Sequence, residues 1–206
     1  MGRIRISYNA PVVLTFALAA VGVYCLTYLV PDTKLWFAAW PKLDGARSYV
    51  GLVTHILGHA SWQHLLGNFM LILLLGPMLE ERLGSVQLLV MIVITAAVTG
   101  IVNLAIGGTF LVGASGIVFM MILLASTANI RQGEIPLTFI AVAVIYLGGE
   151  IIRAFNNDQI SQMAHLVGGV VGGVFGFLGA RARGVEVPAV AKVVSKPLPK
   201  AIAKAK

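Results

Sequence analysis

The chain has 206 residues, 58% hydrophobic and only 11% charged, with a formal net charge of +7 and a mean hydropathy of +0.91. A soluble domain carries about a quarter charged residues, so this composition excludes a protein whose main solvent is water. A span takes about 20 apolar residues, so six spans would use about 120 positions and leave about 86, too few for a separate soluble domain.

The positive charge sits at the two ends, which argues against nucleic acid as its partner. Arg3 and Arg5 precede the first apolar run; Arg181 and Arg183 follow the last, and Lys192, Lys196, Lys200, Lys204 and Lys206 come after them. Basic ends of this kind mark cytoplasmic termini. The single cysteine, Cys25, lies within an apolar run, so no intrachain disulfide framework is possible.

Residues 1–10 read as a short cytoplasmic N-terminus. The apolar stretch over 11–30 is too long for a signal-peptide core and lacks a small-x-small cleavage site, which predicts a retained first helix. Residues 31–62 form a long external connection whose Trp36, Phe37, Trp40 and Trp62 suit the membrane interface. Further apolar runs at 63–83 and 86–107 are joined so briefly that they must be antiparallel neighbours. Residues 108–114 make an apolar, glycine-punctuated approach to Ser115, and runs at 115–130, 136–154 and 163–180 complete the set. Pro188, Pro197 and Pro199 forbid one continuous helix over 183–206, which reads as a disordered basic tail drawn to anionic lipid.

These runs predict an all-α membrane protein with six transmembrane helices over 11–182 and both termini cytoplasmic. Charge supports the orientation. Arg3, Arg5, Arg82, Arg131, Arg181, Arg183 and the five tail lysines fall inside, against Lys34, Lys42, Arg47 and Arg153 outside.

Polar side chains within such spans are candidates for function, because an unpaired one is costly in lipid. They gather in three places, all predicted at the external side. In the first, His64 and Asn68 lie four apart and share a helical face, offering two donors in one direction. His55 and His59 are also four apart, but a zincin would need Glu where Ile56 stands, so they read as ties for the loop and helix start. The second is Gly113-Ala114-Ser115-Gly116, which places a serine among free N–H groups at a helix N-terminus. Taken alone it reads first as an ordinary N-cap. The third is Ala164-His165 followed by Gly168, Gly172 and Gly176, a glycine face suited to close helix packing. Alone, His165 suits a base, a structural donor or a proton relay.

Together the three supply what serine activation requires: a nucleophile, a base within reach and donors for the developing oxyanion. Competing intramembrane chemistries lack their parts. There is no His-Glu-x-x-His, and Asp32, Asp44 and Asp158 all lie outside the predicted spans.

At these residues the sequence resembles the rhomboid family of intramembrane serine proteases. The resemblance runs through His59, His64 and Asn68, then Gly113 to Ser115 and Gly116, then Ala164, His165, Gly168 and Gly172. Glu80 and Gly84 resemble the family's Glu-x-x-x-Gly element closing the second helix. The resemblance implies a Ser115–His165 dyad without a third acid, with His64, Asn68 and the Ser115 backbone N–H as oxyanion hole within the Gly113–Gly116 turn. It implies transmembrane protein substrates cut near the external face and no metal or cofactor. The lack of an added soluble domain or organelle-targeting segment favours a bacterial inner membrane, with membrane lipid as the other expected partner and neither nucleic acid nor a soluble partner expected. The alternatives are a noncatalytic rhomboid-like binder of membrane proteins, or a small transporter or channel.

Two departures stand out. The family's Trp-Arg pair in the first external loop is absent before His55, and Phe119 stands where several bacterial members have Tyr beneath the catalytic imidazole. Glu150 reads as an interfacial charge paired with Arg153, with a role at the substrate entrance as the other reading.

Overall fold

The computed structural model describes residues 7–127, 135–154 and 162–182. Among them are seven α-helices: α1 (Pro11–Leu29), α2 (Ala46–Thr54), α3 (Trp62–Leu83), α4 (Ser85–Ala105), α5 (Ser115–Ser126), α6 (Leu137–Ala154) and α7 (Gln162–Ala182), with a 3₁₀ turn over Pro31–Trp36. All but α2 coincide with the predicted apolar runs. The basic tail and the side chains of Glu150 and Arg153 lie outside what the structure describes, as does the end of the predicted 115–130 run.

Among the described residues, four helices are long and apolar enough to cross a membrane: α1, α3, α4 and the Gln162–Gly179 part of α7. α5 and the Leu137–Gly149 part of α6 are apolar but shorter. Large apolar side chains such as Leu18, Met70, Leu74, Val86 and Leu137 stand exposed on the helix surfaces, where lipid rather than water suits them.

Local chemistry sets the helix ends. Pro11 occupies the first position of α1 and has no N–H to satisfy. The next two N–H groups, of Val12 and Val13, donate to the two carboxylate oxygens of Glu80 at 3.0 Å each. The Ser85 hydroxyl donates to the same carboxylate at 2.7 Å. Glu80 thus caps α1 from the end of α3, satisfying donors that a helix start otherwise leaves open. Gly84, at φ 89°, turns the chain between α3 and α4 in a conformation that other residues rarely adopt.

The core forms around α5, whose residues are mostly buried. Its closest partner is α7, and the contact is made through backbone. A Cβ on Gly168 would strike the Gly116 carbonyl; one on Gly172 would strike the Met120 carbonyl, and one on Gly176 the Thr127 side chain. Gly168 and Gly172, four apart, therefore let the two helices meet at backbone distance on successive turns, and Gly176 admits the Thr127 side chain just beyond the end of α5.

The first loop is folded rather than merely spanning. Within it α2 packs on α4, with Gly100 against the Leu52 carbonyl and Gly51 against the Ala38 carbonyl. Ala39 and Leu111 exchange both backbone hydrogen bonds, at 2.9 and 3.0 Å, tying this loop to the approach to Ser115.

Candidate active site

Ser115 is the first residue of α5, so its N–H is among those left free by helix geometry. Two bonds hold the turn that delivers it. The Gly113 N–H donates to the His55 carbonyl at 2.9 Å, and the Asn103 side-chain amide donates to the Thr109 carbonyl at 2.9 Å. Gly113 has φ 117°, and a Cβ there would lie 2.6 Å from His64 Cε1 and 2.7 Å from Nε2. The position needs glycine twice over, for its backbone and to admit the His64 ring.

Ser115, His64, Asn68 and His165 line one cavity of about 590 Å³, with Phe119, Val118, Leu71 and the Thr109–Val112 stretch completing its wall. His64 and Asn68 come from the first turns of α3, which begins at an N-cap: the Ser61 hydroxyl accepts from the His64 N–H at 3.1 Å. His165 comes from the first turn of α7. Phe119 stands one turn after Ser115, and its ring stacks on the His165 imidazole with centroids 4.5 Å apart and planes 5° from parallel. Tyr146 of α6 meets the Phe119 ring edge-on at 5.9 Å. A phenyl ring thus fills the place beneath the imidazole and fixes its plane without offering a hydroxyl.

Gly116 does not face this cavity's polar wall. A Cβ there would sit 3.2 Å from the Ala164 carbonyl and 3.4 Å from the Thr99 hydroxyl, which places it at the crossing of α5 with α7 and α4. Gly168 and Gly172 continue the same crossing away from the cavity.

The remaining histidines are built in. His55 is 1% exposed, and its Nδ1 donates to the Gly51 carbonyl at 3.1 Å. Burial pushes its pKa down to about 4 against the opposing pull of the Gly51 and Leu52 carbonyls. His59 is brought down to about 4 as well, by burial first, with the Leu57 carbonyl opposing and His64 adding to the fall. Its Nε2 lies 3.1 Å from the Asn68 side-chain nitrogen. No periodicity signals that contact, because the residues are nine apart with a helix start between them.

Trp40 and Arg47 form a pair that the sequence hides. The Arg47 guanidinium lies 5.5 Å from the Trp40 ring centroid, and Trp40 meets Phe110 of the cavity wall edge-on at 5.1 Å. A Trp and an Arg are therefore stacked in the first loop although they are not adjacent in the chain.

Residues 46–182, well over half of the chain, match the family model described as Rhomboid domain. The chain is 25% identical over 186 residues to the Rhomboid protease GlpG of Haemophilus influenzae, a match covering 88% of this chain and 93% of that protein. It is 36% identical over 117 residues to the proteins of the same name from Salmonella paratyphi A and Salmonella typhi. Those matches cover 54% of this chain and 41% of the length of the Salmonella proteins. A family match across this much of a helical, lipid-facing chain settles its membership: the chain belongs to the rhomboid family of intramembrane serine proteases and is a multi-pass integral membrane protein.

Proposed function

We propose that Ser115 is the nucleophile and His165 its general base, and that the chain cleaves transmembrane segments of other proteins near the external membrane face. The observation carrying this reading is the single cavity that Ser115 and His165 share with His64 and Asn68. In the proposed first step, His165 takes the Ser115 hydroxyl proton as the oxygen attacks the scissile carbonyl. The carbonyl oxygen becomes an oxyanion facing the free Ser115 N–H, His64 and the Asn68 side-chain nitrogen. His165 then protonates the leaving amine, and water releases the acyl group by the reverse sequence. As the resemblance implies, the dyad would work without a third acid; Phe119 holds the imidazole plane by stacking, a contact worth about 1 kcal/mol.

The same reading makes the six apolar helices α1 and α3 to α7 the membrane-spanning set, with both termini cytoplasmic in a bacterial inner membrane. The first loop, with α2, then covers the external side. The placement of basic residues at the two ends supports this orientation.

The test is cleavage of a single-span substrate by purified protein in proteoliposomes. Wild type should cut, and Ser115→Ala should leave no product while its thermal midpoint is unchanged. Equal cleavage by both would refute the assignment; none by either would favour a noncatalytic binder.

A further inference from the structure

Asn68 can serve the site only if the correct end of its amide faces the cavity. A side-chain amide has a donor end and an acceptor end of nearly the same shape, and the hydrogen-bond network decides which points where. Here that network is short and determinate. The His59 Nδ1 lies 3.2 Å from the Leu57 carbonyl, which can only accept, so Nδ1 carries the hydrogen. The neutral ring then has a bare lone pair on Nε2, which can only accept. The Asn68 atom 3.1 Å from it is the nitrogen, and it donates.

That nitrogen has two hydrogens, and His59 takes one. The other remains for the cavity: the nitrogen lies 3.6 Å from the point that a Cβ on Gly113 would occupy, beside the turn that carries Ser115. The His59 ring also packs against its neighbours. It meets the His64 ring at 5.1 Å and 67°, and the Phe69 ring at 5.9 Å and 57°. The group that accepts from Asn68 is therefore a buried imidazole, 8% exposed, that does not itself line the cavity.

We propose that His59 is a positioning residue: its Nε2 lone pair, aimed by the Leu57 carbonyl, locks the Asn68 amide with N–H rather than oxygen toward the Ser115 cavity. A flipped amide would present its oxygen to a developing oxyanion, replacing attraction with repulsion. The inference rests on reading Asn68 as an oxyanion donor, and His59 acts only through it.

A double-mutant cycle tests the inference, using kcat and KM for a single-span substrate in proteoliposomes. His59→Leu fills the space without an acceptor, while His59→Gln restores an acceptor oxygen. His59→Leu should lower kcat about tenfold or more with KM unchanged, as loss of an oxyanion donor does. In the Asn68→Ala background the same change should matter less than about twofold, because the group it orients is gone. His59→Gln should recover most of the loss at a thermal midpoint matching that of His59→Leu. If Asn68→Ala cleaves too slowly to score, the cycle is read on the rate of Ser115 labelling by a fluorophosphonate.

Equal losses from His59→Leu with and without Asn68, or a Gln variant no better than Leu, would overturn the inference alone. Cleavage that survives Ser115→Ala would overturn the reading of the site, and this inference with it.

Discussion

Adding one methyl group at Gly168 should separate Ser115, the proposed nucleophile, from His165, its proposed base. A Cβ there would lie 2.7 Å from the Gly116 carbonyl carbon and 2.9 Å from its Cα, and closer still to the carbonyl oxygen. Carbon atoms rest about 3.5–4.0 Å apart, so α5 and α7 must part by about 1 Å to admit it. Neither side can yield by a rotamer change, since the obstacle is backbone. Gly116 directly follows Ser115, and His165 lies one turn before Gly168, so the separation falls on the proposed dyad. Overpacking of this kind costs about 1–3 kcal/mol of stability, and a 1 Å displacement of reacting groups costs about 100-fold in rate. Gly173 on the same helix is the control, because a Cβ there meets nothing within 4 Å. Cleavage assays and thermal midpoints of Gly168→Ala and Gly173→Ala should therefore diverge: the first slow and less stable, the second like wild type. Wild-type kcat in Gly168→Ala would refute the claim that backbone contact of these helices sets the dyad.

Gly113→Ala should lose about 100-fold or more in kcat, because its Cβ would displace the His64 ring and its φ of 117° suits only glycine. Glu80→Ala should leave kcat per folded molecule unchanged and lower stability by about 2 kcal/mol, measured by thermal denaturation, since one buried and one part-buried N–H group lose a charged acceptor. Acid should destabilise the protein before its carboxylates titrate. His55 and His59 have native pKa values of about 4, below the 6.5 of an unfolded chain, so between these values the unfolded chain binds protons that the native one refuses. Their full contribution is present above about pH 6.5 and is lost as pH falls toward 4, by about 2 kcal/mol for each at pH 5. Melting curves from pH 7.5 to 5 should show that slope, and His55→Gln should flatten it.

How much of this was legible in the sequence depends on the range of the interaction. Hydropathy is a property of contiguous residues, so the six apolar runs read directly as helices. α2 escaped because its nine residues mix Arg47, Ser48 and Tyr49 with apolar ones; what holds it is the approach of Gly51 to Ala38 and of Gly100 to Leu52. The glycine face of α7 was visible as a four-residue repeat, but not the fact that it lies on Gly116 and Met120 of α5. Glu80 was recognisable as part of a motif, while its role as a cap for α1 depends on partners 67 and 68 residues away. The first loop has no adjacent Trp-Arg pair, and the contact of Arg47 with the Trp40 ring forms across the loop, where sequence neighbours do not reveal it.

Activation of Ser115 by His165 can be read from labelling with a fluorophosphonate, mapped by peptide mass spectrometry. One adduct is expected, on Ser115, formed in the wild type and absent or slowed at least about 100-fold in His165→Ala. An adduct on another residue, or labelling of Ser115 at the same rate without His165, would contradict it.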